Sequence, residues 1–128
     1  MQAMTTDTTT GWWQPFYRDA DVLNLDGLMS HFTEGAIARL GDSEQLEGKA
    51  AIRKRFGEFW SMIRGMKHDF FNIIEAGDFV ALESRIDYTR LDGHIVNVPC
   101  ATVLRKVGAS SIGEIRIYVD LGPVFAPI

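Results

Sequence analysis

The hydrophobic period changes from helical to strand-like after residue 65, and that change decides what the chain can fold into. Over residues 49–63, Ile52, Phe56, Phe59, Trp60 and Ile63 recur at steps of +4, +3, +1 and +3. That is one wide stripe of an amphipathic helix, broad enough to cover a sheet. Gly65 stands where a C-terminal glycine cap belongs. Beyond it the apolar period drops to about 2, the period of strands. Strands are expected over 68–75 and 79–90, separated by the hairpin signal Ala76-Gly77-Asp78. The Asp92-Gly93 turn pair leads into a strand over 95–107, and a turn at 108–111 into a last strand over 112–120. Pro99, inside the third of these strands, predicts a bulge or an edge position there.

The first half reads as helical. Trp12, Trp13, Phe16 and Tyr17 form one stripe of a helix over 11–22, with Pro15 tolerable in its first turn. Asn24 is placed to cap a second short helix that buries Leu25, Leu28, Met29 and Phe32. A short strand over 36–40 and a polar loop over 41–47 follow. The Thr-rich residues 1–10 are expected to be a mobile tail, leaving 11–128 as one domain. Three helices followed by a meander of long strands make an α+β fold with helices on one face of the sheet.

Composition excludes several function classes. The chain has 128 residues, enough for one core, with 46% hydrophobic and 23% charged residues, and a net charge of −4. Basic residues are scattered apart from Arg53-Lys54-Arg55, so no nucleic acid partner is expected. No stretch approaches the ~20 apolar residues of a membrane span. Residues 1–10 have the regions of no signal peptide, and a lone cysteine, Cys100, fits a reducing compartment, so the cytoplasm is the expected location. His31, His68 and His94 lie on three elements without ligand spacing, so no metal site is expected.

Two strand segments carry ionisable residues at alternate positions. Arg85 and Asp87 share one face, and Arg116, Tyr118 and Asp120 share another. Facing a pocket, two carboxylates flanking a guanidinium form an acid–base unit, because poorly solvated carboxylates cannot both ionise cheaply and Arg holds both by forked hydrogen bonds. Alternatively Glu83, Arg85, Asp87 and Thr89 form a solvated face, with Val80, Leu82, Ile86 and Tyr88 inside. Both readings stand on the sequence.

Four strings resemble the nuclear transport factor 2-like superfamily, in particular its SnoaL-like branch. They are Asn24-Leu25-Asp26-Gly27-Leu28, Glu47-Gly48-Lys49-Ala50-Ala51-Ile52-Arg53, Ala76-Gly77-Asp78-Phe79-Val80-Ala81 and Arg116-Ile117-Tyr118-Val119-Asp120, spanning roughly 12–121. The resemblance implies a cone: a strongly curved mixed or antiparallel sheet wrapped around helices, with an apolar pocket inside. It also implies a homodimer through the outer sheet face. Function has to be argued from the site, since this fold hosts isomerases, cyclases, hydrolases and binding modules.

Arg85-x-Asp87 with Asp120 resembles the limonene-epoxide hydrolases. That likeness makes Asp120 the base, Asp87 the acid and Arg85 their bridge, with Tyr17, Trp60, His68 and Tyr118 lining the pocket. The water-positioning Tyr and Asn of those hydrolases fall near Ala38 and Leu40, which donate nothing, so an internal nucleophile gains on water. Of the ketosteroid-isomerase set only Tyr17 has a counterpart, since the base falls near Leu40 and the protonated Asp near Thr102. The expectation is therefore a cofactor-independent enzyme doing acid–base chemistry on an apolar small molecule, with epoxide opening first. The alternatives are polyketide cyclisation, steroid-type isomerisation, or a non-catalytic binding or association domain.

Overall fold

A computed structural model describes residues 11–127 together with Met4–Thr5. In chain order the elements are β1 (Met4–Thr5), α1 (Gln14–Asp21), α2 (Leu25–Met29), β2 (Phe32–Leu40), β3 (Leu46–Glu47) and α3 (Lys49–Trp60). Then follow β4 (Ile63–Ala76), β5 (Phe79–Arg90), β6 (Ile95–Val107), β7 (Ser111–Val119) and α4 (Gly122–Phe125). One mixed sheet runs β1-β4-β5-β6-β7-β2-β3, with the β2–β7 pair parallel and the others antiparallel. Register shifts interrupt the β4–β5, β6–β7 and β2–β7 ladders. Such irregularities bend and twist strands, and the sheet wraps α1 and α3 as a cone.

Each strand of the meander divides its residues as the pleat requires. On β5, Val80, Leu82, Ser84, Ile86 and Tyr88 are buried, and they meet Val98, Cys100, Thr102 and Leu104 of β6 on the concave side. The core continues onto Trp13, Phe16 and Tyr17 of the first helical segment and Ile52, Phe56 and Trp60 of α3. Among the described residues no helix is long and apolar enough to cross a membrane.

Several boundaries differ from expectation. The third helix ends at Trp60, where the Ser61 N–H bonds the carbonyls of Gly57 and Phe59, and Gly65 lies within β4 instead of capping the helix. Ile63, 4% exposed, is buried from the strand, and its +3 step from Trp60 merely continues the helical rhythm. Asn24 caps α2 as expected, its Oδ1 accepting the Gly27 N–H at 3.1 Å, but Phe32 belongs to β2. β6 is an interior strand, yet its pairing with β7 begins only at Cys100, so Pro99 sits at a local edge. The expected tail over 1–10 lies outside the described residues except at Met4–Thr5, which pair with Glu75 and Ile74. The apolar run after β7 packs on the body as α4, with Val124 2% exposed.

Candidate functional site

Between the concave sheet face, α1 and α3 lies a cavity of about 330 Å³. That is the low end of the usual range for small-molecule sites. Its walls are apolar, with Phe16, Leu28, Phe56, Trp60, Ile86 and Ile115 among them. Polar atoms enter from Tyr17, His68, Tyr88, Cys100 and Thr102, while Asp42 and Arg55 stand at the rim.

His68 is the most elaborately held of these. Its Nδ1 lies 2.6 Å from Asp21 Oδ1, and its backbone N–H reaches both Asp21 oxygens at 3.2 Å. The His68 side chain is 8% exposed and that of Asp21 29%. In the neutral ring, a carboxylate at Nδ1 holds the proton there and leaves Nε2 with its lone pair. Nε2 takes no hydrogen bond from any described residue. Phe70 stacks on the ring at 5.7 Å with an interplanar angle of 13°, and Tyr17 meets it edge-on at 4.7 Å. These contacts set the orientation of the ring.

Asp21 is the last residue of α1. The partial negative charge of a helix C-terminus makes this a poor place for a carboxylate. The two His68 donors compensate locally.

Both inner phenols are kept neutral. Burial pushes Tyr17 well above the ordinary phenol range, the Cys100, Asp21 and Tyr88 groups push the same way, and the Thr102 hydroxyl opposes them. Tyr88 is raised for the same first reason, burial, with Cys100 and Asp21 adding to it. Each is therefore a phenol able to donate a hydrogen bond to an oxygen in the cavity. The Cys100 thiol is also raised by burial, with hydroxyls of Thr102 and Ser84 opposing, so it is no thiolate nucleophile.

Of the residues singled out from sequence, Tyr17, Trp60 and His68 line the cavity; Arg85, Asp87, Asp120 and Tyr118 do not. The β5 pleat is the reason for two of them: Ile86 and Tyr88 occupy the concave side, so Arg85 and Asp87 project from the convex one. There they are joined through Asn97, whose Oδ1 accepts from Arg85 Nε and whose Nδ2 donates to Asp87 Oδ1 at 2.8 Å. Asp120 lies just past β7, is exposed, and accepts the Gly122 N–H at 2.9 Å. No hydrogen bond or ion pair joins it to Arg85 or Asp87. Tyr118, 48% exposed, points out from β7 between inward Ile117 and Val119. The acid–arginine–acid unit expected in the cavity is a set of surface groups.

Sequence reasoning missed Asp21 and assigned Tyr88 only to an inner face. A carboxylate in the last helical turn was the available signal for Asp21, and nothing local ties it to His68.

Comparison with known proteins agrees with this architecture. No curated protein sequence matches the chain. A protein of ketosteroid isomerase-like fold from Catenulispora acidiphila, in complex with trimethylamine, superposes with a TM-score of 0.75 at 21% identity, covering 94% of this chain and 91% of that one. An NTF2-like protein of unknown function from Burkholderia pseudomallei gives 0.79 at 12% identity, over 94% and 100%. An LEH-like epoxide hydrolase of M. tuberculosis gives 0.72 at 14% identity, over 89% and 84%. At these identities the likeness is one of fold. The profile of the SnoaL-like domain matches residues 13–110, most of the cone, and the chain belongs to that family.

Proposed function

We propose that this domain is an enzyme that moves a proton at carbon in a compact apolar substrate bearing a carbonyl or similar oxygen. The observation that carries the proposal is His68 in the cavity wall, held by Asp21 behind it. His68 Nε2 takes the proton from the carbon beside the carbonyl, and Asp21 stabilises the imidazolium that forms. Tyr17 and Tyr88 donate to the developing enolate oxygen. Burial keeps both phenols protonated, so each retains the proton it donates to that oxygen. Proton return at another carbon gives isomerisation. Loss of a neighbouring group, or attack on an internal carbonyl, gives elimination or ring closure. Epoxide opening, expected from Arg85, Asp87 and Asp120, would have to run on His68 and the same phenols, because those three lie outside the cavity.

The test is deuterium exchange into a panel of cyclic ketones and enones, with epoxides alongside, by wild type, His68→Gln, Asp21→Asn and Arg85→Ala. Loss of the base or its partner is expected to lower exchange by about 10²–10⁴-fold. Arg85→Ala should stay within about twofold of wild type, since the surface group touches no reacting atom. Equal exchange by wild type and His68→Gln discards the base assignment. Ligand binding without turnover by either points to the non-catalytic reading instead.

The working unit is proposed to be a homodimer through the convex sheet face, where Tyr118 is 48% exposed. The proposed compartment is the cytoplasm, supported by the single unpaired Cys100.

A further inference from the structure

One side of the cavity rim differs in construction from the rest. Leu121 and Phe125 form it, and Phe125, 46% exposed, meets the Phe59 ring of α3 at 6.0 Å between centroids. They flank and end α4, a helix of four residues. So short a helix leaves nearly all its backbone groups without internal partners and does not stand on its own. Its place is set from outside.

Polar groups hold it at both ends. At the start, Asp120 Oδ1 accepts the Gly122 N–H at 2.9 Å. At the end, Arg90 Nη1 donates to the carbonyls of Val124 at 2.9 Å, Ala126 at 2.7 Å and Pro123 at 3.5 Å. The Arg90 side chain is 16% exposed, and Asp92 Oδ2 steadies its Nε at 3.2 Å. Within α4 the one buried side chain is Val124. The exposed lining residues outside α4 are Asp42 after β2, Arg55 of α3 and Met62 after that helix.

We propose that segment 121–127 is a strap over the cavity, latched by Arg90 and, at its hinge, by Asp120, and that its release admits the ligand. Opening within α3 or the sheet would break a twelve-residue helix or strand ladders. Opening here breaks the Arg90 contacts, the Asp120 cap, the Phe59–Phe125 ring contact and the burial of Val124. Sites of lowest local stability are where a fold opens first. Asp120, read from sequence as the base, acquires in this way a different part in the site's operation. The proposal rests on the cavity as a ligand site and is independent of the chemistry assigned to His68.

The experiment combines amide hydrogen exchange with stopped-flow binding of 2-naphthol, read through the fluorescence of the cavity residue Trp60, in wild type, Arg90→Gln and Asp120→Ala. The Val124 and Phe125 amides, both bonded to the Leu121 carbonyl at 3.0 and 3.3 Å, report on the strap. Arg90→Gln should speed their exchange, and the association of 2-naphthol, by about tenfold, the scale of one charge-assisted hydrogen bond, with β5 and β6 amides unchanged. Asp120→Ala, at an exposed position, should act in the same direction and decides the matter if Arg90→Gln fails to fold. Unchanged exchange at Val124 and Phe125 overturns the strap, as does faster exchange with an unchanged association rate. His68→Gln binding 2-naphthol at the wild-type rate separates ligand entry from the acid–base reading.

Discussion

Asp19 and Asp21 stand two positions apart on α1, about 200° around the helix, and each meets a histidine. Asp19 Oδ2 lies 2.8 Å from His31 Nε2, with side chains 26% and 24% exposed, and braces α1 against the start of β2. Asp21 holds His68 in the cavity wall. The two pairs have the same chemistry, and only the second has a ring edge left for a ligand in the cavity. At this scale the buried phenols make a pH prediction. In the unfolded chain Tyr17 and Tyr88 ionise near pH 10. In the folded protein burial keeps both protonated well beyond that. Below pH ~10 both states carry the protons and these groups contribute no slope. As pH rises above ~10 the unfolded state sheds protons that the native state keeps, so stability falls, by up to about 1.4 kcal/mol per pH unit for each phenol. Urea denaturation across that range should show the slope in wild type. Tyr17→Phe and Tyr88→Phe should each flatten it, whatever they cost at neutral pH.

Elements differ in how far local chemistry sets them. The α1–α2 junction is tight: Leu23 takes a positive φ of 54°, and Asn24 caps the next helix while its Nδ2 donates to Asp19 Oδ1 at 3.3 Å. Asn24→Ala should cost about 1 kcal/mol of unfolding free energy, measured by urea denaturation at neutral pH. At the β4–β5 hairpin Gly77 supplies a φ of 61°, and Phe79 then pairs with Ala76. These junctions were legible because cap and turn residues act over a few positions. The end of α3 was not, because Ile63 is buried on either assignment. Nor was α4: Pro123 near its first turn is a permissive signal, and the groups that hold the helix, Arg90 above all, are remote in sequence.

The whole molecule closes through its longest-range pairing. Phe32 pairs with Ile112 and Leu40 with Ile117, so the parallel β2–β7 ladder joins segments about 80 residues apart. Loop closure over that distance precedes any reward from the contacts, and folding in the millisecond-to-second range is expected from stopped-flow refolding. At this scale the reach of the sequence is plain. Hydrophobic period and turn residues determined the α+β class, the four long strands and the division of each strand into two alternating faces. Alternation states which residues share a face; it is silent on what covers that face. Helices packed on the concave side decided it, giving the cavity Ile86 and Tyr88 and giving the surface Arg85 and Asp87. Only the tertiary structure could bring Asp21 to His68, since a pair 47 positions apart is made by the docking of α1 on β4 and by nothing local to either residue.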